Sequence, residues 1–154
     1  MRLSSFADYA VVLMSAAARH CGATKMNATT LSAETGIPLP TAQKLVSRLS
    51  AAGLLESSRG TGGGVRLTRP PAAITLADVV EAVEGPIAMT ACAEMGAHDC
   101  SLEQDCRIRP HMNAANHAIR SALAGVTIAS LARDVAPPSF APREVEKPVA
   151  EQTI

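Results

Sequence analysis

The chain has 154 residues with 14 Lys and Arg against 14 Asp and Glu, a length for one domain or a small domain with an extension, which excludes a large multidomain enzyme. Apolar residues make up 47% of it and aromatics only 2%, so the core must be aliphatic and largely helical. Without Trp, and with only Tyr9, Phe6 and Phe140, it lacks the ring platforms that grip single-stranded bases or sugars.

Leu3, Phe6, Ala10, Leu13, Met14 and Ala17 repeat at helical spacing and predict a first helix. Asp8 interrupts the approach to the short apolar run that follows, which fits a helix of a cytoplasmic protein better than a signal peptide. No apolar stretch reaches the ~18 residues of a membrane span. Cys21-Gly22 breaks the pattern, and a short helix over Thr29 to Thr35 is capped by Gly36. After the turn Gly36-Ile37-Pro38, Pro40 fits only an early helical turn, and Ala42, Leu45, Val46, Leu49 and Ala52 form the buried stripe of a helix that Gly53 stops. This is the outline of a helix-turn-helix.

Leu54 to Ser58 and Val65 to Arg69 flank the stretch Arg59-Gly60-Thr61-Gly62-Gly63-Gly64, which predicts a β-hairpin with a flexible tip. Thr75-Leu76-Ala77-Asp78 reads as a capping box for a short helix ending at Gly85-Pro86. A cysteine-bearing loop follows. Pro110 then sits early in a long helix on which Ile108, Met112, Ala115, Ile119, Ala122 and Val126 step by 4 and 3 residues, a seam for a second helix. A closing helix runs from Thr127 to Val135, and Pro137, Pro138, Pro142 and Pro148 mark a disordered tail.

The expected fold is mainly α with a small β-hairpin, a winged helix-turn-helix plus a long C-terminal dimerisation helix. Its divisions are a DNA-binding domain over 1–85, the cysteine loop over 86–107, the dimerisation and closing helices over 108–135, and the tail over 136–154.

Charge is unevenly placed. Lys44, Arg48, Arg59, Arg66 and Arg69 face only Glu56 between Pro38 and Arg69, whereas Pro70 to Cys106 holds seven acids and no Lys or Arg. The basic stretch coincides with the second helix and the wing, where a duplex-binding fold needs phosphate contacts. Opposite the buried stripe, Thr41, Gln43, Lys44, Ser47 and Arg48 can reach base edges in a major groove. Arg59 can enter a minor groove, with Gly60 and Gly62 letting the backbone approach. Taken singly these residues are an ordinary solvated face; their combination with the fold outline favours double-stranded DNA. A phosphate loop is excluded because no G-x-x-x-x-G-K-[ST] is present.

Cys92-x7-Cys100-x5-Cys106 contains no C-x-x-C, so thioredoxin-type and zinc-knuckle spacings do not fit. Three thiols on one loop suit an iron-sulfur cluster, structural zinc with His98 or His111 as fourth ligand, or a thiol switch that needs none. Cys21 is expected to be a small buried hydrophobe.

Met1-Arg2-Leu3-Ser4 with Tyr9-Ala10, Leu45-x-x-Arg48-Leu49-x-x-x-Gly53-Leu54, Ser58-Arg59-Gly60-x-Gly62-Gly63-Gly64 and Ile74-Thr75-Leu76-x-Asp78-Val79-Val80-x-Ala82-Val83-Glu84 together resemble the iron-sulfur-sensing winged-helix repressors. That group includes the iron-sulfur cluster assembly regulator and the nitric-oxide-sensitive repressor. The resemblance, over residues 1 to 135, implies a homodimer on palindromic promoter DNA. It implies a [2Fe-2S] or [4Fe-4S] cluster on Cys92, Cys100 and Cys106 that alters operator affinity, with cluster assembly genes as targets. The assembly regulator's histidine ligand falls at Arg109 here, with His111 two residues on. The nitric-oxide-sensitive repressor's aspartate falls at Asp8, supplied by the partner subunit, so Asp8 leads as fourth ligand, before His111 and then His98. The seven-residue first spacing exceeds the five usual in both relatives. A cysteine-dependent enzyme is disfavoured, because no Ser/His/Asp or Cys/His arrangement stands out beyond the loop. A protein-binding adaptor with a degenerate winged helix is the remaining alternative.

Overall fold

The computed structural model describes residues 3–20, 26–58, 64–90 and 106–133. In order these form α1 (Ser5–Arg19), α2 (Ala28–Thr35), α3 (Leu39–Ala51), β1 (Leu55–Ser57), β2 (Val65–Leu67), a 3-10 turn (Pro71–Ala73), α4 (Leu76–Glu84), α5 (Arg109–Ala124) and α6 (Ile128–Ala132). This is a winged helix-turn-helix, mainly α with one hairpin, as the periodicity predicts.

Helices α1, α2, α4 and α6 each start where a side chain takes an orphan N–H group. Ser4 Oγ accepts from the Ala7 N–H at the head of α1. Asn27 and Thr30 close a reciprocal box on α2, which therefore begins a residue before the Thr29 expected. Thr75 and Asp78 form the predicted box on α4. Pro40 lies in the first turn of α3, where its missing N–H is harmless. Gly36, at φ 73°, makes the left-handed exit from α2 that sets the helix-turn-helix corner.

The core gathers around α1, whose Ala7, Ala10, Leu13, Met14, Ala16 and Ala17 are fully buried. Helices α2, α3, α4 and α6 and strand β2 all contact it. In the hairpin, Leu55 pairs with Leu67, Glu56 with Arg66 and Ser57 with Val65. The free edge of β2 is partly covered by Met26, whose carbonyl accepts from the Val65 N–H at 2.6 Å. Glu34 of α2 ties down the C-terminal end of α1 by taking Arg19 at 2.9 Å and His20 at 2.6 Å.

The closing helix was grouped with the long helix on sequence, yet it packs elsewhere. Thr127 bridges Thr75, the Ile128 N–H donates to the Ile74 carbonyl at 2.8 Å, and the Leu76 N–H donates to the Val126 carbonyl at 2.8 Å. Ile128 is fully buried within the main core beside α1. A second, smaller cluster joins Ala77, Val80 and Ile87 to Ile119, Leu123 and Ala124 of α5. No helix among the described residues is long and apolar enough to cross a membrane.

Because Ile128 is fully enclosed, Ile128→Ala is expected to destabilise the folded protein by about 2–5 kcal/mol in denaturant unfolding. A loss below about 1 kcal/mol would show that α6 does not belong to the core.

Candidate nucleic-acid interface and cysteine site

The corner before α3 is held by short side chains. Ser32 Oγ donates to the Ile37 carbonyl and Thr35 Oγ1 to the Leu31 carbonyl, both at 2.6 Å. With its inner row Ala42, Leu45, Val46 and Leu49 buried, α3 turns Gln43, Lys44 and Ser47 to solvent, while Thr41 is half-buried on one flank. Lys44 has no ion pair among the described residues, so its charge is available to a phosphate.

Arg48 is exposed too, but it is engaged. Its Nη1 donates to the Val83 carbonyl of α4 at 2.9 Å, and its guanidinium carbon lies 6.0 Å from the centre of the Phe6 ring. In the wing, Arg66 pairs with Glu56 at 2.9 Å, and Arg69 lies 3.7 Å from Asp78. The basic stretch is thus partly neutralised where it folds. Arg59, Gly60 and Gly62 lie outside the described residues.

Of the sulfur ligands expected, Cys106 is described: a half-buried free thiol just before α5, whose carbonyl accepts from the Arg109 N–H at 3.3 Å. Cys92, Cys100 and His98, with Cys21, lie outside the described residues. His111 is exposed in the first turn of α5. Asp8 is exposed on α1, in an open cleft with Leu3, Ser4, Ser5 and Glu84, and its carboxylate has no partner among the described residues. Among those residues no three His, Cys, Asp or Glu side chains converge as metal ligands. Glu84 takes the Ser4 N–H at 2.8 Å, and hydrogen bonds from Ser4 hold its carboxyl below the ordinary value of 4.5. Neither Glu84, Phe6 nor the Val83 carbonyl is given a role in the site by the sequence. A backbone carbonyl leaves no sequence signal, and Phe6 was read as part of the core stripe.

A helix-turn-helix with a wing and an outward polar row on its second helix defines a duplex-DNA-binding regulator. Residues 3–134 match the Rrf2 family, described as an iron-dependent transcriptional regulator, and the chain belongs to that family. Protein aau3 of Rhizobium meliloti is 40% identical over 110 residues, 71% of each chain. The transcriptional repressor NsrR of Streptomyces coelicolor is 31% identical across 85% of this chain and 88% of its own. The regulator IscR of Vibrio cholerae is 33% identical across 87% and 76% respectively. Among solved structures, CymR, the global cysteine regulator of Bacillus subtilis, superposes with a TM-score of 0.66 at 26% identity, covering 86% of this chain and 96% of that one. The protein is accordingly a DNA-binding transcriptional regulator and not an enzyme.

The Ser4–Glu84 contact favours the ionised carboxyl, so its stabilising contribution is present above the ordinary carboxyl pKa and lost as pH falls through the lowered one. Carboxyl titration by NMR is expected to place the Glu84 midpoint below 4.5, and Glu84→Gln to remove part of the protein's acid sensitivity. A midpoint at or above that value would contradict the contact.

Proposed function

We propose that this regulator is a homodimeric repressor that senses iron-sulfur status or oxidative and nitrosative stress, with iron-sulfur cluster assembly genes among its targets. Cys92, Cys100 and Cys106 would hold the cluster, with Asp8 of the partner subunit as fourth ligand ahead of His111. The observation that carries this reading is Cys106, an unpaired, half-buried thiol at the foot of α5. The donor set fits the group, because thiolates are the usual ligands of iron-sulfur clusters and the Asp8 carboxylate has no partner among the described residues. Such a cluster, when bound, supplies an oxidant- and nitric-oxide-sensitive centre.

The chain's own residues supply the rest. Gln43 and Lys44 of α3, with Thr41 at its flank, face the major groove, and Arg59, Gly60 and Gly62 bring the wing to the backbone or minor groove. Dimerisation is assigned to α5. This 16-residue helix buries no residue within a single chain, and Ile108, Ala115 and Ala122 of its seam are exposed. Two α5 helices packed together would cover that stripe and set two recognition helices about one DNA turn apart.

A second reading keeps the DNA binding and replaces the cluster by thiol oxidation. The likeness to CymR of Staphylococcus aureus, whose structure is known in an oxidised form, favours it. Anaerobic absorption spectroscopy with iron and sulfide analysis separates the two. The cluster reading predicts visible charge-transfer bands with matching iron and sulfide, lost in Cys92→Ala, Cys100→Ala and Cys106→Ala. A colourless protein after anaerobic reconstitution with iron and sulfide would remove it.

A further inference from the structure

The last turn of α4 carries Glu81 and Glu84 and no base. Carboxylates there sit at the negative end of the helix dipole, where cations are favoured, and the final carbonyls have no partner within the helix. Positive charge arrives from other helices. Arg120 of α5 forks onto Glu81, Nε to Oε1 at 2.8 Å and Nη2 to Oε2 at 3.0 Å. Arg48 of α3 donates to the Val83 carbonyl at 2.9 Å while lying over Phe6 of α1. One side chain therefore joins the DNA-facing helix to both α4 and α1. Gln43, Lys44 and Ser47, on the outward row of the same helix, make no such contact among the described residues. A guanidinium drawn out to a phosphate would give up the carbonyl and the ring together.

We propose that Arg48 is a positioning residue for DNA binding: it caps the C-terminal end of α4 across the helix interface and so fixes the setting of α3, touching neither phosphate nor base. This rests on α3 being the recognition helix and is independent of what the cysteines hold. It also reassigns Arg48, which the sequence had grouped with the base-reading residues. Arg suits the role because its planar fork can donate to a carbonyl and stack on a ring at once, which an ammonium does less well.

The test uses the full chain with Arg48→Ala, Arg48→Lys and Lys44→Ala, and duplexes that the wild-type protein selects from a random-sequence pool. Affinity is followed between roughly 50 and 200 mM salt, together with discrimination against a scrambled duplex, melting temperature and amide exchange. Lys44→Ala, the phosphate control, is expected to make the slope of log K against log salt shallower by about 0.9 for each DNA-bound copy of the chain, about 1.8 for a dimer. Arg48→Ala is expected to leave that slope unchanged while weakening the selected duplex about tenfold and lowering discrimination across the half-site. Exchange of the Gly85 N–H, which closes the last turn of α4 on the Glu81 carbonyl, is expected to accelerate. Arg48→Lys should show the same pattern more weakly, and it carries the test if Arg48→Ala does not fold. A slope reduced by about 0.9 for each DNA-bound copy, or full affinity in Arg48→Lys, would show a phosphate contact and overturn the proposal. Loss of preference at a single base pair with unchanged Gly85 exchange would show base reading and overturn it equally. A lowered melting temperature with unchanged affinity and discrimination would reduce Arg48 to a stability residue.

Discussion

Close approach to α1 governs how the other helices pack. Ala7, Ala10, Ala16 and Ala17 are fully buried, and their small side chains let α4 and α6 lie near the α1 backbone while Leu13 and Met14 fill the spaces between. With so few aromatics, the chain has little bulk with which to bridge wide gaps. Enlarging one of these alanines would force its neighbours off their rotamers at about 1–3 kcal/mol. Because α3 and β2 also touch α1, the helix-turn-helix and the wing inherit their placement from that packing.

The C-terminal end of α4 is the second organising point. Its carboxylates face the wrong end of the helix dipole, and the correction comes from Arg48 of α3, Arg120 of α5 and the backbone ahead of α1. The same end runs through Gly85, at φ 91°, towards the segment that carries Cys92 and Cys100. Helix α3, the long helix and the cleft containing Asp8 thus meet one turn of helix that precedes the cysteines in the chain. A change in the cysteine segment that moved this turn would be felt by α3 without any long relay. Only a difference in affinity between two states can establish such coupling.

Local chemistry made much of the fold legible in the sequence. The stripes of α1 and α3, the Thr75–Asp78 box, the Gly36 corner and the hairpin all follow from interactions within a few residues. The Asn27–Thr30 box was missed because its partner is Thr instead of Glu, so α2 starts earlier than the pattern suggested. The core position of Ile128 and the pairing of Met26 with Val65 were not legible, since each depends on contacts between residues distant in the chain. For the candidate site, residue type announced the cysteines and the polar face of α3. Helical spacing placed Arg48 on that face correctly, but it could not show that a long side chain bends back to a carbonyl on α4. Seam spacing likewise marked α5 as a partner-seeking helix without revealing that Ile119 and Leu123 already pack towards α4.

In the function proposed, occupancy of the cysteine segment sets how tightly the winged helix-turn-helix holds DNA. Anaerobic titration of one selected duplex with the iron- and sulfide-reconstituted protein and with the stripped protein, at a single fixed salt concentration, tests it directly. Affinities that differ by about fivefold or more, the usual scale of allosteric coupling, are expected. Equal affinities for the two forms would contradict it.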